Sequence, residues 1–199
     1  MEESERAALM SRIEDAVRHR MRDRKRRLAH TLGVADTAER LALEYGADPF
    51  LARAAGLLHD WDKVLSDEEL TARAASYGVR VDGSLSDCVH LLHGPVAACE
   101  LPHLFPELDA SVFQAVARHT VGAVDMTALD MVVYVADAIE PGRASYADEV
   151  RALVGKVSLE ELFLACAAQT IDFLVRKRRY LYPYAVTVYN AYALKAGGR

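Results

Sequence analysis

Cysteine is scarce in this sequence: Cys88, Cys99 and Cys166 are the three present, and no two share a Cys-x-x-Cys spacing. That argues against a disulfide framework and against a thiolate zinc site. No apolar run approaches the ~18 residues that would cross a bilayer. The N-terminal stretch "MEESERAALMSRIEDAVRHR" is charged throughout, unlike a secretory signal. A cytoplasmic protein with no membrane partner is therefore expected. The glycine-rich phosphate loops of P-loop and dinucleotide folds are missing, as is the Gly-x-Ser-x-Gly elbow of serine hydrolases. Alternating, β-branched runs are also absent, apart from an ambiguous "MVVYV" at 131–135.

What is present is apolar and charged in ordinary globular proportion, 52% and 27% of 199 residues. A net charge of −5 disfavours nucleic acid as a partner for the whole surface. The basic residues are nevertheless clustered, seven of them in "RHRMRDRKRR" (18–27) and four in "RKRR" (176–179). Such runs are either solvated helix faces or a partial seat for an anionic ligand, and RNA binding through 18–27 is a further alternative.

Helix signals recur along the chain. Residues 4–22 read as a charged helix, and "HTLGVADTAERLALEYG" repeats apolar residues at three and four until Gly46. Asp48-Pro49 is an N-cap with proline at the first helical position, opening a helix through "FLARAAGLLHD". Ser66 with Glu69 and Ser158 with Glu161 are capping boxes. Residues 92–101, 109–119 and 127–139 read as further helices, with "HLFPELD" and "TVGAVD" between them. The expectation is an all-α, single-domain helical bundle over 1–199. An N-terminal helix (1–24) would precede a core (25–145) and C-terminal helices (146–199).

Seven histidines occur, at 19, 30, 59, 90, 93, 103 and 119. His19 in the basic helix and His103 in a proline-flanked loop are expected at the surface. The "GLLHDWDK" stretch places His59 and Asp60 side by side where an apolar helix finishes. His30 and His93 stand at helix starts, His119 closes "SVFQAVARH", and Asp137 follows the apolar "MVVYVA". Antiparallel neighbours in a bundle would bring these ends to one level. A buried Asp137 is costly unless it is paired or bound to a metal. Four imidazoles and two carboxylates without thiolate suit iron, manganese, zinc or cobalt. The number of donors exceeds one tetrahedral site and fits two ions sharing a carboxylate.

The order His30, His59-Asp60, Asp137 resembles the HD superfamily of metal-dependent phosphohydrolases, and finer matches point to its YqeK-type members, bacterial symmetrical diadenosine tetraphosphate hydrolases. "RRLAHTLGV", "AGLLHDWDK", "LLHGPVAA", "ARHTVG" and "VADAIEPGR" are similar to successive blocks of that family, and "YPYAVTVYNAY" to its closing helix. The resemblance implies two divalent transition-metal ions, iron favoured over manganese, cobalt or zinc. His30, His59, Asp60 and Asp137 would hold one, and His93 and His119 the other, with Asp60 bridging. Asp60 and Lys63 are the expected catalytic residues. Arg27, Lys63, Thr120, Gly122 and Arg143 are the expected substrate contacts. Two departures stand out. Asp62 adds an acid near the centre that could alter metal preference, and Tyr182 occupies a position where the family often has histidine.

The implied reaction is attack by a metal-bridged hydroxide on a central phosphorus of a dinucleoside polyphosphate, giving two ADP from diadenosine tetraphosphate. The C-terminal tyrosines are open to two roles, stacking on adenine or packing a terminal helix. An HD-type nucleotidase or phosphodiesterase with another nucleotide substrate is the alternative enzyme. A non-catalytic nucleotide- or metal-sensing module is the alternative from another class. The sequence leaves a homodimer, the physiological metal and the choice between adenine and guanine open.

Overall fold

The computed structural model describes residues 2–80, 85–144 and 147–197. Among these, every regular element is helical. The elements are α1 (Glu3–Arg20), α2 (Lys25–Tyr45), α3 (Pro49–Leu58), α4 (Asp67–Ser76), α5 (Leu85–Cys88), α6 (His93–Leu104), α7 (Ala110–Arg118), α8 (Ala128–Ile139), α9 (Asp148–Arg151), α10 (Leu159–Arg176) and α11 (Pro183–Ala196). A short 3-10 turn, Val89–Leu91, leads into α6.

The local signals act where the sequence places them. Gly46, in the left-handed region at φ 77°, ends α2. Asp48 accepts from the amides of Phe50 and Leu51 at the start of α3, and both anticipated capping boxes form, at Ser66/Glu69 and Ser158/Glu161. A third, Thr127 with Asp130, opens α8. The "MVVYV" stretch is helical within α8, because it is apolar on all sides and buried between neighbours rather than paired at an edge. One expectation changes. His103 and Leu104, the first two residues of the supposed "HLFPELD" loop, belong to α6, which runs on through Pro102 to Leu104. A proline in the last turn removes only one amide donor, so the helix tolerates it.

The main apolar core draws side chains from α1, α2, α3, α6, α7, α8, α9, α10 and α11, including Ile13, Val34, Leu57, Leu58, Val132 and Phe163, while Leu70 and Ala74 of α4 pack with Leu92 and Val96 in a smaller cluster. The packing of α2 on α3 is the most extensive helix pair. It depends on Gly56, where a Cβ would meet the Cα of Ala35 at 2.7 Å. At the other side of the site, a Cβ on Gly94 would lie 2.7 Å from the Val116 carbonyl. These two close approaches let α2 meet α3, and α6 meet α7, at backbone distance, and each pair carries two of the histidines discussed next.

Candidate metal centre

The ends of five elements converge. His30 comes from the second turn of α2, His59 and Asp60 from the end of α3 and the following turn, and His93 from the start of α6. His119 caps α7, and Asp137 lies in the last turn of α8. All six anticipated donors come together. His30 Nε2 stands 3.1 Å from Asp137 Oδ1 and 3.7 Å from Asp60 Oδ2. His59 Nε2 is 3.4 Å from Asp60 Oδ2, and His93 Nε2 is 3.2 Å from Asp60 Oδ1. Asp60 therefore turns one oxygen to each half of the cluster. The donor atoms form three overlapping groups, His30/His59/Asp60, His59/His119/Asp137 and Asp60/His93/His119, each with its atoms within 4.8 Å of one another.

The outer ring nitrogens fix the tautomers. Nδ1 of His59, His93 and His119 each faces the carbonyl three residues earlier, of Gly56, His90 and Val116, at 2.7 Å in every case. A carbonyl only accepts, so each Nδ1 is the N–H donor and the inward Nε2 of the neutral ring carries a lone pair. His30 Nδ1 faces Glu140 Oε1 at 3.1 Å, the carboxylate–histidine arrangement common behind metal ligands. The inward nitrogens then crowd, His93 Nε2 against His119 Nε2 at 3.0 Å and His30 Nε2 against His59 Nε2 at 3.4 Å. Lone pairs at such distances repel unless a cation or a proton lies between them. The donor set fits a divalent metal ion.

Electrostatics agree. Burial raises the Asp60 carboxyl, but the charge and hydrogen bonding of His59 and His93 outweigh it and hold it well below the usual range. Asp137 is also held far down, burial being overcome by His30, His59 and Arg143. His119 falls to about 3, chiefly through burial and then through the charges of His93 and His59, and so remains neutral at physiological pH. For His59 the balance runs the other way: burial lowers it, and Asp60 and Asp137 raise it further.

The expected substrate contacts divide. Arg27 Nη1 donates to Asp60 Oδ2 at 2.6 Å. Arg143 donates to the Asp137 carboxylate and, through Nε, to the Asp137 carbonyl at 2.7 Å. Both guanidiniums thus lie against the donor carboxylates, where positive charge is demanded. Lys63 reaches the His90 carbonyl at 3.3 Å, beside His93, and burial lowers its pKa while Asp60 pulls upward. Thr120 Oγ1 lies 3.2 Å from His119 Nε2. A cleft of about 270 Å³ opens there, lined by His119, Thr120, Asp137, Arg143 and Phe173 among others. A larger cleft of about 610 Å³, between Arg40 and Arg151, does not include the donor residues in its lining. Gly122 has a conformational role: it is buried at φ 79°, with Val188 and Phe163 against the position of a Cβ.

The basic run separates too. Arg18 pairs with Glu14 and Arg20 with Asp62, whereas Arg27 meets Asp60. Asp62 corrects an expectation. It is buried and bound to Arg20, turned away from the donors rather than added to them. Among the tyrosines, Tyr192 is buried and its hydroxyl accepts from the Met126 amide at 2.9 Å, a packing role. Tyr182 stands at the N-cap position of α11, just before Pro183, and lines a small apolar pocket with Tyr180 and Thr120. Two functional residues were not singled out from sequence. Glu140 orients His30, and Arg151 binds the carbonyls of Ile139, Glu140 and Arg143 at 2.8, 2.6 and 3.0 Å, bracing the loop that carries Glu140. The Glu-Pro-Gly-Arg block was the one available signal for Glu140; nothing local marks Arg151.

The HD domain family profile matches residues 27–142, the segment that contains every donor. The chain belongs to the HD domain family. Its relatives include two proteins named "Bis(5'-nucleosyl)-tetraphosphatase, symmetrical". The one from Bacillus subtilis is 34% identical over 165 residues, covering 82% of this chain and 88% of the relative. The one from Staphylococcus aureus is 33% identical over 168 residues, covering 83% and 82%. A crystal structure from Clostridium acetobutylicum, described as a "predicted HD superfamily hydrolase involved in NAD metabolism", superposes with a TM-score of 0.84 at 31% identity. It covers 93% of this HD chain and 97% of its own. No described helix is long and apolar enough to cross a membrane.

Proposed function

We propose that this HD protein hydrolyses dinucleoside polyphosphates symmetrically, releasing two ADP from diadenosine tetraphosphate. The convergence of six donors with Asp60 between two histidine pairs carries the reading, and the names of relatives that match most of the chain point to the substrate. His30, His59, Asp60 and Asp137 would hold one divalent ion and His93 and His119 a second, with Asp60 shared. The imidazole–carboxylate set suits iron, and also manganese, cobalt or zinc. When bound, such ions supply Lewis acidity at phosphoryl oxygens and bring the pKa of water toward neutrality. In this reading residues 25–145 form the metal-binding core, and the flanking helices support it.

The protein's own groups do the rest. Arg27, Lys63 and Arg143 ring the donors with positive charge, which offsets the repulsion that makes a polyphosphate anhydride slow to react. Thr120 offers a hydroxyl at the cleft wall beside His119. The fixed Nδ1 bonds keep the inward nitrogens aimed, so rotamer freedom is not spent when the site is filled. Hydrolysis of diadenosine tetraphosphate by enzyme purified without oxygen should yield ADP alone by chromatography. ATP with AMP, or no turnover in protein carrying metal, would overturn the proposal.

Glu140 gives a more selective expectation. Glu140→Ala should weaken metal affinity by about 10- to 100-fold, because His30 loses the acceptor that sets its tautomer. Metal analysis after dialysis against graded chelator checks this. Full retention of metal would remove Glu140 from the account.

A further inference from the structure

Asp62 sits two residues beyond Asp60, and the proposed chemistry does not use it. Its side chain is fully buried and points toward α1 and α4. Arg20 Nη2 donates to Asp62 Oδ1 at 2.6 Å, and Arg73 Nη1 lies 3.7 Å from the same oxygen while pairing with Glu100 at 2.8 Å. Arg20 grips the neighbouring residue as well. Its Nε donates to the Trp61 carbonyl at 2.6 Å, and its guanidinium stands over the Trp61 indole, 4.5 Å from the ring centroid. One side chain from the end of α1 thus holds both residues that follow Asp60.

A buried ion pair is a poor way merely to glue helices together, since well-packed apolar residues do so as well or better. What the fork of a guanidinium adds is fixed geometry, a bidentate hold on one carboxylate and one carbonyl. The helix that supplies it lies before the segment matched by the HD family, which begins at residue 27. The turn it holds is the one from which Asp60 must show an oxygen to His93 and another to His59 and His30.

We propose that Arg20 and Asp62 are positioning residues: through them, α1 locks the His59–Asp60 turn in the orientation that binds metal. This rests on the reading of the cluster as a metal site. The consequence is an N-terminal helix that sets metal affinity from outside the family core without touching a donor.

The test is titration of the metal-free, full-length protein with cobalt(II), following the visible absorption bands of the bound ion. Arg20→Met should lower cobalt affinity about 10- to 100-fold and alter the bands, the size expected when support behind a ligand is lost. Leu9→Ala is the control. It loosens α1 roughly 16 Å along the helix from Arg20, at a buried residue remote from the turn, and should leave affinity within about twofold. Should Arg20→Met not fold, Arg20→Lys keeps a charge beside Asp62 but cannot fork to the Trp61 carbonyl, and should lose about tenfold. Wild-type affinity and bands in Arg20→Met, or in Arg20→Lys where that variant stands in, overturn the inference. So does an equal loss in Leu9→Ala, which would make the contact structural only. Wild-type protein that binds no cobalt instead refutes the metal site itself, and this inference with it.

Discussion

Asp60→Ala is expected to reduce turnover of diadenosine tetraphosphate by roughly a thousandfold or more, since about 4 kcal/mol of metal-derived stabilisation is at stake. Asp60 is the residue whose two oxygens reach both halves of the donor cluster, toward His93 on one side and toward His59 and His30 on the other. Its loss removes a donor from each half and leaves Arg27 without its partner. His59→Ala should follow the same course, because that ring faces Asp60, Asp137, His30 and His119 together. Steady-state kinetics with metal counted per chain checks both. If Asp60→Ala keeps more than a tenth of wild-type turnover with its metal intact, the assignment of the centre fails.

Gly56→Leu should be among the most damaging single changes to stability outside the donor set. A side chain at this position would strike the backbone of α2, with the Ala35 Cα 2.7 Å from the first added carbon. Backbone cannot swing aside as a side chain can, so the cost lies at the upper end of overpacking, about 3 kcal/mol. For a chain of this size that corresponds to a fall in Tm of roughly 10 °C. Forcing α2 from α3 also separates His30 from His59, whose inward nitrogens stand 3.4 Å apart, and displaces the Gly56 carbonyl that orients His59. Metal content should therefore fall with Tm. Calorimetry of metal-free protein is the direct measure, and an unchanged Tm would mean the two helices have more freedom than this contact allows.

What could be read from the sequence was what is written locally. Asp48-Pro49, Gly46 and two capping boxes each act within a few residues, and all take their expected places. The convergence of the six candidate donors is legible for a related reason: most sit where an apolar run meets a helix end, and antiparallel packing brings such ends together. The supports were not legible. Glu140 meets His30 across 110 positions, and Arg20 meets Asp62 across 42. No periodicity reports a contact of that span. The role of Asp62 is hidden for the same reason: its proximity to Asp60 along the chain suggests a shared site, whereas its side chain leaves toward α1. The flanking prolines make His103 read as a loop residue, whereas one missing amide in a last turn is tolerated and α6 runs through it.

The bond from Nδ1 to the carbonyl three residues earlier recurs at His59, His93 and His119. Because each such bond closes within a single turn of chain, three of the rings are aimed by the local backbone. Assembly of the bundle then decides only where the aimed rings meet. The centre is in this sense a template poured before the ion arrives. For these three rings, filling the site would call for no change of tautomer or of rotamer.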